Sequence, residues 1–430
     1  MKSSIFNSCI PICGRHSLLH NSLSNNFLVI KDQIIASEDL YDMESLPESL
    51  QKKLVETGMI VEDGKDEVQI LADLIESSDN NDDEFLLYLN PTLDCNFKCW
   101  YCYERHSRGE YMKGDVVQNV RQFCAKIIRE KKIVRFRLSL FGGEPLLYFN
   151  KVTRPLIEFL ACECSRNGVS FSLQFTSNGA LLNSAVIEFL KSYDCYFQIT
   201  LDGGKSEHDA TRFFCNGEGS YKKIVRNIKS LLNVDIFVNV RVNFTAANVN
   251  SIDDIFHSFL DLEKRDKANL CFDFQRVWQE RVDDADETES KAQEMRNKFR
   301  SAGFAVATNY LVNSVKNSCY GDKKNSILIN YDGRVFGCTA RDFNDDNCVG
   351  YLGERGEINF KHDVWNRRSN SKFKKEVCRK CRIAPLCGGG CKQRAYEAMD
   401  SGGCAFGYTE EDKDRKILDL FEHFCMNSAI

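Results

Sequence analysis

The sequence predicts an α/β fold in which repeated βα units form a parallel sheet, with a small module before it and a cysteine-rich region after it. From Phe85 onward, short apolar runs alternate with helical patterns, which is typical of βα units. The stretch before Phe85 instead combines short strands and short helices. The last third of the chain concentrates cysteines at metal-ligand spacings. We therefore predict domains at residues 1–83, 84–305 and 306–430.

The composition is that of a soluble globular protein, with 43% hydrophobic and 28% charged residues. A net charge of -5 argues against a nucleic-acid surface, which would carry a basic field. No apolar run approaches a membrane span, and the start lacks the apolar region of a secretory signal. We expect a cytoplasmic protein with no nucleic-acid or membrane partner. Because a reducing cytosol keeps thiols unpaired, the 20 cysteines indicate metal binding or catalysis.

Residues 1–83 are expected to form a separate module. A hairpin is predicted over residues 17–30, where apolar stretches flank a polar turn. Apolar residues recur at helical spacing over residues 44–57, which predicts a helix. Residues 59–71 predict a strand, a turn and an extended return. The polar, acidic residues 76–84 are interpreted as a linker.

The central region predicts six βα units. The candidate strands span residues 85–90, 136–141, 170–176, 196–201, 236–244 and 270–277. The candidate helices lie near residues 115–132, 151–167, 183–193, 219–233, 251–263 and 286–302. Six units are fewer than the eight of a closed barrel. Functional side chains are expected at the carboxyl ends of the strands, which meet at one edge of a parallel sheet.

A CxxxCxxC motif follows the first candidate strand and contains Cys95, Cys99 and Cys102. A structural zinc site needs four ligands, and a four-iron cluster has four corners that are usually each held by a cysteine. Three thiolates leave one iron open for a ligand. The motif alone also fits a zinc knuckle completed by a distant residue, or three cysteines that simply pack in a core.

Further motifs follow the next three candidate strands. Gly142-Gly143-Glu144-Pro145 comes after the second strand, and its glycines let backbone approach a ligand while the glutamate offers a carboxylate. A tight strand-to-helix turn is the alternative interpretation. The third strand is followed by a Ser-Asn pair, and the fourth by the sequence ITLDGGKSEHDATR.

With these motifs the chain resembles the radical S-adenosylmethionine (SAM) enzymes, including the aromatic Tyr101 before the last cysteine of the motif. The resemblance implies a partial (β/α)6 barrel that is open on one side to admit a large substrate. It also implies that the amino and carboxylate groups of SAM chelate the open iron of a four-iron cluster. One electron from the cluster then cleaves SAM, and the 5'-deoxyadenosyl radical abstracts hydrogen from a substrate.

The resemblance also assigns the cofactor-binding residues. The GGEP element binds the ammonium of SAM in this family, which points to Glu144. The fourth-strand sequence resembles the family stretch SxDGxxxxHDxxR, with Thr200 where serine is usual, so Thr200 and Arg212 are expected to hold the carboxylate. Asp202 and His208 are either structural turn residues or catalytic ones, and no catalytic acid or base is identified. The full predicted set is Tyr101, Gly142, Gly143, Glu144, Pro145, Ser177, Asn178, Thr200 and Arg212.

A second cysteine array occupies the last third of the chain. It runs from Cys319 through Gly333 to Cys338, then continues with CxxC and further cysteines to Cys404. The spacing resembles the seven-cysteine SPASM domain of radical SAM enzymes that modify peptides and proteins, and a pair of zinc ribbons is the alternative. The resemblance implies two auxiliary four-iron clusters, hence three [4Fe-4S] clusters in all. The distal cluster is expected on Cys378, Cys381, Cys387 and Cys404, and the near cluster on Cys319, Cys338 and Cys391.

The near cluster lacks the additional cysteine that relatives with a fully ligated cluster carry a few residues before Cys319. We therefore expect a second open iron, unless Cys348 supplies the missing ligand. An open iron there binds a substrate thiolate, or a protein or water ligand.

Together these resemblances predict a radical SAM peptide maturase that crosslinks a ribosomally made precursor peptide, with a thioether favoured and a carbon–carbon bond as the other product. The strands and short helices of the first 80 residues resemble the winged-helix module that binds leader peptides, although a structural extension of the barrel is the alternative. Expected partners are the precursor peptide, through leader and core, and a reductant such as flavodoxin or ferredoxin. The alternatives are an anaerobic sulfatase-maturating type of enzyme, which makes formylglycine, and a non-catalytic iron–sulfur peptide-binding protein.

Overall fold

The fold was analysed in a computed structural model, which describes residues 1–31, 46–80, 83–280, 285–307, 315–316 and 318–428. Residues 44–45 of the predicted first helix and 81–82 of the predicted linker therefore lie outside the described residues. Contacts divide the chain into two compact units. The first combines residues 1–81, 309–324 and 362–430, and the second combines residues 82–308 and 325–361.

The strands are β1 (Lys2–Ser3), β2 (Asn7–Ile12), β3 (His16–Asn21), β4 (Asn26–Lys31), β5 (Ile60–Val61), β6 (Glu84–Leu89), β7 (Arg135–Leu140), β8 (Ser170–Ser177), β9 (Asp194–Leu201), β10 (Phe237–Phe244), β11 (Leu270–Arg276), β12 (Ala305–Val306), β13 (Ser326–Ile329), β14 (Arg334–Phe336), β15 (Cys348–Leu352) and β16 (Ile358–Phe360).

The helices are α1 (Glu48–Glu56), α2 (Glu67–Asp79), α3 (Gly114–Glu130), α4 (Arg154–Arg166), α5 (Ser184–Leu190), α6 (Lys205–Thr211), α7 (Tyr221–Leu232), α8 (Ile252–Phe259), α9 (Lys264–Ala268), α10 (Ala285–Ser301), α11 (His362–Ser369), α12 (Glu376–Arg379), α13 (Ala384–Cys387), α14 (Lys392–Glu397) and α15 (Glu410–Ser428). A π-helical turn over Phe149–Thr153 leads directly into α4.

The N-terminal part of the first unit contains a three-stranded antiparallel sheet in the order β2-β3-β4. The predicted hairpin over residues 17–30 is confirmed as β3 and β4. The predicted extended return near residue 71 is wrong, because those residues form α2. Val68, Leu71 and Ile75 follow helical spacing, and Asp66 caps the helix by accepting the Gln69 N–H at 2.9 Å. The first residues of the predicted linker are also helical, since α2 continues to Asp79.

The apolar core of the first unit joins its N-terminal and C-terminal segments. Phe6 and Leu71 are fully buried and belong to one cluster with Phe373 and Cys378. A second cluster packs β2 and β3 against α15, where Ile417 is fully buried. Removal of residues 1–81 would therefore expose apolar surface of the cysteine-rich segment.

The second unit confirms the predicted α/β fold with its parallel sheet. Strands β6 to β11 pair in sequence order and in parallel, each within two residues of its predicted bounds. The sheet continues at both edges and has 11 strands in the order β12-β11-β10-β9-β8-β7-β6-β13-β14-β15-β16. The sequence did not indicate that β13 pairs in parallel with β6, the first strand of the barrel.

Alternation along the parallel strands separates a buried face from a cavity face. In β9, Phe197, Ile199 and Leu201 are fully buried. The intervening Gln198 and Thr200 line a cavity instead. In β10, Arg241 lies in register with Thr200. The period of two therefore directs polar side chains of neighbouring strands into one cavity.

In the part of the chain that the structure describes, no helix combines the length and apolar character needed to cross a membrane.

Candidate functional site

The three cysteines of the CxxxCxxC motif line one cavity of the second unit, in the loop that follows β6. The Phe97 N–H donates to Cys95 Sγ at 3.4 Å. Burial, together with the nearby charges of Glu104 and Cys99, raises the pKa of the Cys102 thiol to about 11. Cysteine binds a metal ion as the thiolate, so each of these thiols must lose its proton when a metal binds. The arrangement places three potential thiolate ligands at the carboxyl ends of the strands.

The predicted glycine turn packs directly against the cysteine loop. Gly142 and Gly143 have φ values of 79° and 51°, a region that favours glycine. A Cβ on Gly143 would lie 2.2 Å from the carbonyl oxygen of Asp94, so no side chain fits there. The Gly143 N–H donates to Glu104 Oε2 at 2.9 Å, and the Glu144 N–H donates to Asp94 O at 2.9 Å. The two segments are thus joined by one backbone–backbone hydrogen bond and by one from a backbone N–H to a side-chain carboxylate.

The side chain of Glu144 forms an internal network. Its carboxylate accepts the Ser177 hydroxyl and the Asn178 N–H, both at 2.8 Å, and the Leu146 N–H at 3.0 Å. Glu144 is fully buried and is not among the residues that line the cavity, whereas Ser177 and Asn178 are. Burial raises the pKa of Glu144, and these hydrogen bonds act in the opposite direction. The structure therefore brings the three predicted residues together, with the carboxylate facing protein donors.

The remaining predicted turn residue, Pro145, is buried behind the turn. Its carbonyl oxygen accepts the hydroxyl of Thr153, the last residue of the following π-helical turn, at 3.1 Å.

Tyr101 connects the cysteine loop to the strand ends of the barrel. Its hydroxyl accepts from Arg212 at 2.6 Å and from the Asn243 amide at 3.2 Å, and it donates to Asp202. Arg212 also lies 3.9 Å from Asp202 as an ion pair, and both are almost fully buried. Tyr101, Thr200 and Arg212 all line the cavity. Of the two residues left open by the sequence, Asp202 thus contacts the predicted site through Tyr101.

His208 lies behind this group and does not line the cavity. It is fully buried, its Nδ1 accepts the Asp202 N–H at 3.2 Å, and its Nε2 lies 2.9 Å from the Ser220 hydroxyl. Burial lowers the pKa of His208 from 6.5 to about 3, and the charge of Arg212 acts in the same direction. A neutral imidazole in this position fixes the strand-end loop.

Several cavity residues were not identified from the sequence, namely Glu104, His106, Arg241, Asn243, Trp278 and Gln279. The polar positions in FVNVRVNF could have indicated Arg241 and Asn243, because they alternate with buried valines. The only sequence feature that could have indicated Glu104 is its position close to the cysteine motif. Gln279 lies in a loop, where it donates to the Tyr101 carbonyl oxygen at 2.6 Å, and no sequence pattern marks it.

The cavity residues fit an iron–sulfur cluster with a polar ligand. Three cysteines line it, and no fourth cysteine is among the described lining residues. Ligand atoms of Cys102, Glu104 and His106 lie within 4.8 Å of one another, so this loop can also place nitrogen or oxygen near the metal. Two buried polar atoms of the cavity residues, Glu104 Oε1 and Arg212 Nε, have no hydrogen-bond partner within the described chain. Such atoms are satisfied when a polar ligand binds.

Four cysteines of the second array lie close together in the first unit. Burial raises the pKa of Cys378, and Cys404 and Cys381 raise it further. Burial likewise raises the pKa of Cys387 to about 11, with Cys381 and Cys378 adding to the effect. The N–H groups of Gly389 and Gly390 are hydrogen-bonded to Cys387 and act in the opposite direction. Donors aimed at sulfur are typical of metal thiolates.

The three cysteines predicted for the near cluster are divided between the two units. Cys319 and Cys391 belong to the first unit, where Cys391 Sγ accepts the Arg394 N–H at 3.5 Å. Cys338 belongs to the second unit and lies close enough to Tyr103 to influence its pKa. Cys348 is fully buried beside Leu328 and Phe336, and its thiol donates to the Gly350 carbonyl oxygen at 3.1 Å.

The radical SAM superfamily profile matches residues 89–259, which include the cysteine loop, the glycine turn and β7 to β10. The chain carries a radical SAM domain. The resemblance stated from the motifs is therefore confirmed for this part of the chain. The SPASM resemblance and the individual ligand assignments stay predictions.

Two proteins are similar to this chain in sequence. A cysteine-type anaerobic sulfatase-maturating enzyme of Clostridium novyi is 28% identical over 72% of this chain and 88% of its own length. An uncharacterized protein of Synechocystis is 32% identical over 41% of this chain, and this match spans 45% of that protein.

Two solved structures share the fold of this chain. The structure of anSMEcpe with bound AdoMet and the Cp18Cys peptide has a TM-score of 0.59, at 18% identity over 80% of this chain and 98% of that chain. Streptococcus suis SuiB bound to its precursor peptide SuiA has a TM-score of 0.51, at 12% identity over 91% of this chain and 96% of that chain.

Proposed function

We propose that this radical SAM enzyme is a peptide maturase that abstracts hydrogen from a ribosomally made precursor peptide and installs a crosslink. A thioether is the favoured product, because a second open iron is expected at the near auxiliary cluster and such an iron accepts a substrate thiolate. A carbon–carbon crosslink is the other product of the same chemistry. A peptide substrate is supported by the solved structures of anSMEcpe and SuiB, each of which has a bound peptide.

The residues that line the cavity give the strongest support for a peptide substrate. Its lining joins the three motif cysteines to Trp278, whose surface is 75% exposed, and to the partly exposed Tyr103. Exposed large aromatic residues mark interaction surfaces, and an indole offers both apolar area and a hydrogen-bond donor. A peptide with apolar and polar groups suits such a rim better than a small polar metabolite.

The protein groups have separate tasks in this proposal. When bound, the cluster and SAM supply a 5'-deoxyadenosyl radical that abstracts hydrogen from the substrate. Cys95, Cys99 and Cys102 would hold that cluster, while Tyr101 fixes their loop through Asp202 and Arg212. The polar residues that alternate with buried apolar ones along the strands, such as Gln198 and Thr200, would face the bound ligand.

Auxiliary clusters complete the proposed cofactor set of three [4Fe-4S] clusters. Cys378, Cys381, Cys387 and Cys404 would hold the distal one, since they already lie together in the first unit. Cys319, Cys338 and Cys391 stay the proposed ligands of the near one. The buried thiol of Cys348 bonds to a backbone carbonyl, which favours a packing role and leaves the near iron open. Electrons would come from a reductant such as flavodoxin or ferredoxin.

A second candidate function is oxidation of a cysteine or serine to formylglycine. The sulfatase-maturating relative from Clostridium novyi favours it, because the match extends over 88% of that enzyme. Thiol alkylation and fragmentation by mass spectrometry separate the two products. A thioether consumes a thiol and joins two residues, whereas formylglycine leaves an aldehyde on one residue.

The three-stranded sheet of the first unit is proposed as the leader-binding surface. Its edge strand β4 exposes Val29, which is 50% accessible, and a peptide strand can pair with such an edge. Deleting residues 1–80 is a poor test, because Phe6 and Leu71 belong to the core of the unit. Val29→Glu is expected to weaken leader affinity with unchanged folding. Unchanged affinity would contradict this assignment.

Iron analysis tests the cofactor set. Anaerobically reconstituted protein is expected to contain about twelve irons per chain, falling to about eight when Cys95, Cys99 and Cys102 are all changed to alanine. In a control variant, Cys13, Cys162 and Cys425 are changed to alanine. This variant should keep all of its irons, since these three cysteines are exposed and lie outside the motifs. Zinc with little iron would overturn the proposal. Absence of 5'-deoxyadenosine in the presence of SAM and reductant would instead favour a non-catalytic peptide-binding protein.

A further inference from the structure

The loop after the third motif cysteine places three different metal ligands close together. Cys102 Sγ lies 3.5 Å from His106 Nε2, and ligand atoms of Cys102, Glu104 and His106 all lie within 4.8 Å of one another. Two ligands of one tetrahedral zinc ion are separated by about 3.3–3.7 Å, because the bonds are about 2.0–2.3 Å long. Among the residues that the structure describes, no other three cysteine, histidine or carboxylate ligands lie so close together. The loop therefore has nearly the geometry of a site for a single ion.

Glu104 has one oxygen available for such an ion. Its Oε2 accepts the Gly143 N–H at 2.9 Å, whereas its buried Oε1 has no hydrogen-bond partner within the described chain. A buried oxygen without a partner is costly. A metal ion between the side chains satisfies this oxygen, and the hydrogen bond to Oε2 orients the carboxylate as in other metal sites. The unpartnered oxygen thus indicates a ligand independently of the distances.

The three donor atoms select the class of metal. Thiolate sulfur and imidazole nitrogen suit zinc, and a carboxylate oxygen completes a set of three protein ligands that leaves the fourth position to water. Magnesium and calcium prefer sites made only of oxygen. Cys102, Glu104 and His106 all line the cavity, which provides room for that water. A zinc ion therefore suits the site better than either of these two metals.

The single ion and the four-iron cluster proposed on the motif cysteines are alternatives. Both need Cys102, whereas only the cluster needs Cys95 and Cys99. One thiolate in this loop serves one of the two at a time. A single ion is therefore expected in chains whose motif cluster has not been assembled.

We propose that the cluster-free chain binds one zinc ion through Cys102, Glu104 and His106. The Cys102 thiol releases its proton to solvent as the zinc–sulfur bond forms, and no electron is transferred. Zinc binding and cluster assembly then compete for the same thiolate. The inference goes beyond the proposed function, since the site needs neither SAM nor a peptide.

Cobalt(II) binding to the full-length chain tests the site, because a bond from Co²⁺ to a thiolate gives a charge-transfer band in the near ultraviolet. The background variant is Cys95→Ala/Cys99→Ala, which retains Cys102 but lacks two ligands of the motif cluster. It is reconstituted with iron and sulfide to fill its other cysteine sites, desalted, and then titrated with Co²⁺. One Co²⁺ per chain should give the band, and Zn²⁺ should displace it, since zinc binds such ligands more tightly than cobalt.

Further substitutions in this background identify the ligands. Adding Cys102→Ala should remove the band. Adding His106→Ala or Glu104→Gln should weaken Co²⁺ binding at least about tenfold, since even residues that only support a metal ligand have effects of this size. Glutamine at position 104 still accepts the Gly143 N–H, so the loop keeps this contact.

His257→Ala in the same background is the matched control, because His257 lies on α8 outside the cavity lining. It should leave the Co²⁺ affinity unchanged, and all variants are compared at equal iron per chain. Unchanged affinity in the His106 or the Glu104 variant would overturn the three-ligand site, as would a band that persists without Cys102. The wild-type holoenzyme should give no such band, and a band of equal size there would overturn the competition between zinc and the cluster.

Discussion

Tyr101 shows how one side chain can organise a site from the interior. The sequence indicated this residue only as an aromatic neighbour of a cysteine. In the structure its hydroxyl meets Arg212, Asp202 and Asn243, which come from two different strand ends. These partners are buried, so loss of the hydroxyl leaves them without a common contact.

Tyr101→Phe is therefore expected to lower the free energy of unfolding by about 1–3 kcal/mol, because buried polar groups lose a partner. Thermal unfolding of the reconstituted protein measures the effect. Tyr193→Phe is the matched control, since the Tyr193 hydroxyl forms no hydrogen bond within the described chain and its ring packs on Phe189. Equal effects of the two changes would contradict the role given to Tyr101.

His208 provides a pH-dependent prediction. Its pKa of about 3 lies below the ordinary 6.5, so the unfolded chain binds a proton over this window and the folded chain does not. The free energy of unfolding therefore decreases as the pH falls. Between about pH 7.5 and 5.5, the wild type should lose about 1 kcal/mol more than His208→Asn, whose amide oxygen can still accept the Asp202 N–H. If the free energy of unfolding changes with pH in the same way in the wild type and in His208→Asn, the interpretation of His208 as a buried neutral imidazole is wrong.

The sequence predicted which residues gather at the strand ends, because motif positions and strand order together define that edge. It did not predict which of them point at a ligand. Glu144 turns inward since Ser177 and two backbone N–H groups surround it, and two of these partners, Ser177 and the Asn178 N–H, are 33 and 34 residues away in the chain. Glu104 reaches the cavity because the backbone of Gly143 attracts its carboxylate, a contact that no local pattern encodes.

At the scale of elements, the spacing of apolar residues predicted strands and helices correctly where one face of the element is buried and the other is not. The six parallel strands and their helices were predicted because apolar runs and helical faces alternate clearly. Helix α2 was missed in favour of an extended segment, although Leu71 and Ile75 have helical spacing. Strand β13 was also missed, since its four residues pair with β6 far earlier in the chain. Short strands of this kind depend on tertiary partners.

The turn after β7 gives a prediction at this scale. Gly143→Ala should abolish SAM binding and reduce iron at the motif cysteines, because its Cβ would overlap the Asp94 backbone. Gly168→Ala is the matched control, with a φ of 68° but open space around the added Cβ. It should cost only about 1–2 kcal/mol of backbone strain and retain iron. Iron content and SAM binding of both variants decide whether the clash matters.

At the scale of the whole molecule, a buried charge network joins distant segments of the first unit. Lys372 lies 3.1 Å from Asp79 and 3.2 Å from Asp322, and all three side chains are at most 7% exposed. Asp322 also accepts the Lys392 N–H at 2.8 Å. The network connects the end of α2 to the segments that carry Cys319 and Cys391.

Lys372→Met is expected to lower the free energy of unfolding by about 3–5 kcal/mol, because the buried Asp322 loses its cation and Asp79 keeps only Lys392, at 3.3 Å. Urea unfolding of the reconstituted protein measures this loss. Lys380→Met removes an exposed ion pair with Glu376 and should cost less than about 1 kcal/mol. A small effect of both changes would show that the buried carboxylates do not depend on Lys372.

The division of the first unit also has a consequence for synthesis on the ribosome. Its N-terminal residues 1–81 emerge first, but the apolar clusters that contain Phe6 and Ile10 also include residues beyond residue 362. About 280 residues separate the two segments, which corresponds to about 15–60 s of translation at about 5–20 residues per second. During that interval Phe6 and Ile10 lack their final packing. Nascent chains of this enzyme thus carry an unfinished core that chaperones can bind until translation is nearly complete.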